Sequence, residues 1–182
     1  MQLFKEHHVT MHFSQVNGYK GADFAEMRAY MLGKLMWNPY LDADSLMLSF
    51  MNGYYGKAAK YLYQYQKIMQ GALIASHQPL SIYDNPISHK NGMLCPLMLK
   101  TYNELFNKAE AAVADNPSHL NHVRLSRLPL IYAELEIART DPKYDSEKAK
   151  DKLERFHQLA EELEVKTLSE RGNTPEDYYI QY

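Results

Sequence analysis

Apolar positions three and four apart dominate the chain, and they predict helices over most of its length. Phe24, Met27, Met31 and Leu35 form one such stripe, preceded by Asp23, with Glu26 three residues later in the spacing of a capping box. The helix they predict runs from 23 to about Trp37, because Pro39 disfavours helical geometry at Asn38. Asp42 or Asp44 then caps a second helix that buries Leu46, Met47, Phe50 and Met51 and stops at Gly53 or Gly56. A third follows at once through Ala58, Tyr61, Tyr65, Ile68 and Ala72.

Residues 76–95 contain two prolines, two asparagines and a glycine with no sustained period, so they form the longest loop. Further helices are expected over 96–115, 118–140 with Pro129 inside it, and 145–166 with Ala149, Leu153, Phe156, Ala160 and Leu163 on one face. Pro175 takes a first helical position in the tail. Only "HVTMHFS", residues 8–14, alternates with period two, placing Val9, Met11 and Phe13 on one side; it is the one strand expected. The predicted fold is mainly α, an irregular array of about six helices with one short N-terminal β-strand. A lone strand leaves its backbone groups unpaired, so this one requires a neighbour in another copy or another domain.

Composition narrows the function. The formal net charge is -2, so no broad positive field exists to gather nucleic acid or anionic lipid. A single cysteine, Cys95, excludes an internal disulfide and a multi-cysteine metal cluster; without an obvious catalytic partner set it reads as a buried, inert thiol. No apolar run reaches the length of a membrane span, and residues 1–8 do not read as a signal peptide. Fifteen tyrosines and ten methionines suit irregular, partly wet packing surfaces.

No known catalytic motif is present, and no cofactor is called for. Asp42 and Asp44 are explained by capping; Glu134 and Glu136 lie beside an apolar stripe, Glu161 and Glu162 on a solvated face, and none makes an acid and base pair. His119 and His122 share a helical turn but lack further ligands, so no metal site is expected; His7, His8 and His12 read as edge-strand polarity. Arg124 and Arg127 point to a structural ion pair. Trp37, Tyr54 and Tyr55 are aromatics at a helix corner, expected in the core rather than as a sugar platform.

The segment 27–65 and the later "VRLSRLPLIYAELE" together resemble the C-terminal region of glycosidase-like proteins of polysaccharide-degrading bacteria, the DUF4838 family of domains of unknown function. The resemblance rests on Arg28, Ala29, Tyr30, Lys34, Leu35, Trp37, Asn38, Pro39, Asp42, Asp44, Phe50, Gly53, Tyr54, Tyr55, Gly56, Ala58, Ala59 and Tyr65.

It implies a barrel before these helices, so that residues 1–22 hold the last strand and loop of a barrel and 23–182 a helical domain. It also implies a non-catalytic, supporting part of a glycoside-hydrolase-like protein, in a periplasmic or secreted setting, with the hydrolytic carboxylates on other strands. Ser14, Gln15, Asn17 and Tyr19, at the strand's carboxyl end, are then the expected carbohydrate contacts. Relatives have an acidic residue before the glutamine, and Ser14 in its place weakens an acid role there. The expected partners are the barrel or a second copy, and a glycan, but neither nucleic acid nor a membrane. A helical protein-protein interaction module is the alternative.

Overall fold

The computed structural model describes residues 1–15, 18–141, 146–169 and 172–182 and is mainly helical. The α-helices are α1 (Gln2–Glu6), α2 (Ala25–Trp37), α3 (Ala43–Tyr55), α4 (Ala59–Ser76), α5 (Pro96–Ala112), α6 (Pro117–Ala138), α7 (Ser146–Glu162) and α8 (Pro175–Gln181). Short 3-10 turns at Gly56–Ala58 and Pro86–His89 join them. None of the described helices is long and apolar enough to cross a membrane.

Local chemistry accounts for most boundaries. The Asp42 carboxylate accepts from Ser45 N at 2.7 Å and starts α3, which ends on Gly56 at φ 53°, a conformation open to glycine. Asn116 accepts from His119 N to start α6, with Pro117 in its first turn. Thr174 and Asp177 form a reciprocal capping box that opens α8 on Pro175, and Asn85 with Ser88 does the same inside the 76–95 loop. That loop is tied down further by His89, which is buried and pairs through Nε2 with Asp84 at 2.9 Å.

Two expectations fail. Residues 8–14 form no strand, and there is none among the described residues. Residues 2–6 are helical, His8 turns the chain at φ 57°, and the segment folds back so that His12 lies 5.0 Å from the Phe4 ring. Alternation is necessary for a half-buried strand but not sufficient: without an adjacent backbone to pair with, no ladder forms. The part of 1–22 expected to be a barrel strand is therefore not one here.

The Asp23 and Glu26 pair is also not a capping box. The N-cap of α2 is Phe24 in the left-handed region at φ 45°, with no side-chain cap. Phe24 is buried, stacked at 6.0 Å on Tyr65 and edge-on at 6.1 Å to Tyr55. Packing holds it in a backbone conformation that local preference opposes. The proposed start of the helix at Asp145 lies outside the described residues.

Helix α6 is the axis of the fold. It packs on α3, α5 and α7, and its apolar residues serve two cores. Val123, Leu130 and Ala133 join α2–α5, whereas Leu125, Leu128, Ile131 and Leu135 face α7 and the tail. A helix buried on opposite sides needs apolar residues nearly all round, as "VRLSRLPLIYAELE" supplies. Of the charged residues in that stretch, Arg127 is buried as well.

Candidate functional site

Where the turn before α2 meets the middle of α6, the helices leave a cleft. It consists of two cavities of about 230 Å³ and 540 Å³ that share two lining residues, Asp23 and Pro129. The smaller is walled by Leu128, Tyr132, Phe156 and Val165, with Tyr19 and Lys20 at its edge. The larger lies between Met47 of α3, Tyr65 and Met69 of α4, and Met93 and Leu94 after the long loop.

Backbone constraints place Asp23. Gly21 has φ 85°, and a Cβ there would lie 3.1 Å from the Val165 side chain, so the turn passes tightly over Val165 as glycine. Ala22 N donates to Tyr19 O at 3.0 Å, and Phe24 anchors the other side in the core. Asp23 is thereby held with its carboxylate at the junction of the cavities.

Asp23 keeps an exposed surface at the cleft, with protein atoms gathered around it. Burial raises its pKa above the ordinary carboxylate value, and the charge of Arg28 offsets part of this. The Asp23 charge in turn adds to burial in raising Tyr65 well above the ordinary phenol value. Tyr55 is raised chiefly by burial, and its hydroxyl donates to Ser126 Oγ at 2.7 Å rather than to Asp23. No described residue hydrogen-bonds to Asp23. The two lysines on the lining have acidic neighbours of their own: Lys67 lies 3.0 Å from Asp44, and Lys20 lies 3.7 Å from Glu164.

No second carboxylate lines either cavity.

A third recess, about 370 Å³, lies at the N-terminal end between Phe4, Lys5, Val9, Met11 and Trp37. Trp37 is 91% exposed and Met11 and Phe13 are each 87% exposed. Trp37 is thus not the core residue its position at a helix corner suggests; the corner turns the ring outward. Tyr54 and Tyr55 do pack inward: Tyr55 is fully buried, and Tyr54 stacks on His122 at 3.7 Å. Burial, with a contribution from Glu26, pushes Tyr54 up to about 12.

Of the four expected contacts, only Tyr19 reaches the cleft. Ser14 Oγ pairs with His12 Nε2 at 2.6 Å, Gln15 is exposed away from both cavities, and Asn17 lies outside the described residues. His122 Nδ1 donates to Tyr54 O at 2.7 Å, and its ring centroid is 6.5 Å from that of His119. The corner residues are structural: Asp42 caps, Asp44 pairs with Lys67, and Asn38 Oδ1 accepts from Tyr40 N at 3.1 Å. Cys95 sits half-buried at the start of α5 rather than buried. His157, Glu161 and Glu176 cluster between α7 and α8, but the carboxylates approach different ring nitrogens, Nδ1 at 3.9 Å and Nε2 at 2.7 Å, as in an ion-pair clamp.

These elements can be set against known families. Residues 1–67 match the model of the domain of unknown function DUF4838. The resemblance read from the sequence is borne out over that stretch. No curated protein and no solved structure matches the chain. The DUF4838 match takes in the whole N-terminal recess, the Asp23 turn, α2, α3 and the first half of α4. Pro129 and the α6 and α7 walls of the cleft lie beyond it.

Sequence reasoning assigned Asp23 to a cap and so overlooked it as a site residue. The only available signal was its place directly after the glycine-bearing turn 18–22, where a polar residue is held close to other backbone.

Proposed function

We propose that this chain is the helical, non-catalytic part of a glycoside-hydrolase-like, carbohydrate-processing protein, docking through its N-terminal apolar face onto a barrel and edging the ligand cleft with Tyr19. The observation that carries the docking is a shallow recess lined by the exposed Trp37 and Met11, with Phe13, also exposed, two residues further along the chain. Large apolar side chains gathered in this way mark an interaction surface. The carbohydrate part of the reading rests on the sequence resemblance described above.

Lys5 lines the same recess and serves as a reporter. Cross-linking of the native protein at lysines, read by mass spectrometry, is expected to join Lys5 to residues of the barrel. Links between Lys5 of two chains would replace the barrel by a second copy, the interaction-module reading. A Lys5 that cross-links only to other lysines of residues 1–182 of its own chain would overturn docking at this face. Failure of the native protein to bind any member of a glycan array would remove the carbohydrate part alone.

A further inference from the structure

Of the three buried tyrosines among the described residues, two have a partner for the hydroxyl: Tyr55 meets Ser126 Oγ at 2.7 Å, and Tyr102 donates to Met93 O at 2.9 Å. Tyr65 is only 4% exposed, and no described residue hydrogen-bonds to its hydroxyl. Its ring is fixed by Phe24, stacked at 6.0 Å, and by Tyr102 and Phe106, each edge-on at 5.0 Å. The oxygen is neither bonded nor sealed off, and Tyr65 lines the larger cavity, so the hydroxyl opens into that space. Buried polar groups are normally hydrogen-bonded, and one left without a partner costs free energy. A hydroxyl held rigidly at a cavity wall is therefore a donor available to whatever fills the cavity.

The rest of the lining sets the class of ligand. Met47, Met69, Met93, Leu94 and Leu130 make an apolar wall, and methionine adapts its shape to what it touches. The two charges on the lining are of opposite sign, and each has an opposite charge acting on it: Arg28 on Asp23, and Asp44 on Lys67 at 3.0 Å. Neither calls for an ionic ligand. We propose that the larger cavity binds an uncharged, mainly apolar molecule with an accepting oxygen, as in a ketone or an ester, which takes the hydrogen bond from the Tyr65 hydroxyl. The volume of about 540 Å³ suits a small ligand, since such sites span about 300–1,000 Å³. Burial, with the Asp23 charge, holds Tyr65 well above the ordinary phenol value, so the hydroxyl keeps the proton it donates. The inference does not depend on the barrel or glycan reading.

Acetophenone and 2-phenylpropene have nearly the same shape and differ in carrying a carbonyl oxygen or a methylene at one position. Titration calorimetry of the folded chain with each, repeated on Tyr65→Phe, isolates the hydrogen bond; near-UV circular dichroism checks that the variant is folded. Acetophenone is expected to saturate one site per chain and to bind Tyr65→Phe about three- to tenfold more weakly, with 2-phenylpropene unchanged. Without ligand, Tyr65→Phe should melt no lower than wild type, because the change removes no hydrogen bond within the protein. An equal effect of Tyr65→Phe on both probes would overturn the proposal. So would the absence of saturable acetophenone binding, undiminished acetophenone binding by Tyr65→Phe, or a variant that melts well below wild type, which would reveal a partner for the hydroxyl inside the protein.

Discussion

Arg127 and Glu110 form a buried ion pair across α5 and α6, with Nη1 donating to Oε1 at 2.7 Å. Nη2 of the same guanidinium donates to Asn103 Oδ1 at 2.8 Å, and Asn103 Nδ2 donates to Glu134 Oε1 at 2.6 Å. Lys152 of α7 completes the chain by donating to Glu134 Oε2 at 3.0 Å. Through these groups α5 and α7 are fixed in register on either side of α6. Because Arg127 is shielded, Glu110→Ala leaves a buried charge unpaired and is expected to cost about 3–5 kcal/mol. Lys152 is half exposed, so Lys152→Ala should cost about 1 kcal/mol or less. Urea unfolding of the two variants compares them, and equal losses would contradict a buried centre and an exposed end.

Gly56 is expected to resist any side chain. Its φ of 53° belongs to a region that other residues enter at about 1–3 kcal/mol, and a Cβ there would lie 2.5 Å from the His119 ring. Gly56→Ala should therefore destabilise by more than the backbone cost alone. Removing the ring in Gly56→Ala/His119→Ala should restore part of the loss but not all. Full restoration would show that backbone strain is unimportant, and none would show that the ring is not the obstacle.

Asp42 holds the start of α3, and its pKa is lowered mainly by the hydrogen bonds from Ser45. A carboxyl with a lowered folded pKa stabilises above its unfolded value and loses that contribution as pH falls through the folded value. Asp42→Ala should lower the melting temperature at neutral pH. The gap between variant and wild type should close below about pH 3.9, the ordinary aspartate value. A gap that persists at lower pH would mean that the hydrogen bond is not the source.

Asp23 has the opposite sign. A carboxyl whose folded pKa is raised by burial penalises the folded state above that pKa, and the penalty disappears as pH falls and the folded protein takes up its proton. Asp23→Asn should melt higher than wild type at neutral pH, with the advantage gone by about pH 4. A less stable Asn variant at neutral pH would show that Asp23 has a compensating partner.

The helices were readable where one residue settles a local question. Pro39 ends α2, Asp42 starts α3, Pro175 opens α8, and the stripe through Leu153, Phe156 and Ala160 faces inward in α7. What could not be read locally depended on distant neighbours. Val9, Met11 and Phe13 have the rhythm of a strand, but pairing requires a second backbone that the described residues do not place there. Asp23 and Glu26 have the spacing of a capping box, but burial of Phe24 beside Tyr55 and Tyr65 imposes a left-handed N-cap and turns Asp23 into the cleft. The cleft itself joins Asp23, Tyr65, Pro129 and Val165, four positions far apart in the chain, so no local pattern announces it.

Trp37 is the only tryptophan of the 182 residues, and its exposed ring lies on the face assigned to docking, so the difference in fluorescence between the wild type and Trp37→Phe reports on the central claim without any label. The deciding measurement is acrylamide quenching of its fluorescence in the isolated chain and in the native protein purified from its own cells. Docking predicts strong quenching in the isolated chain and protection, with emission shifted to shorter wavelength, in the native protein. A Trp37 quenched to the same degree in both would contradict docking through this face.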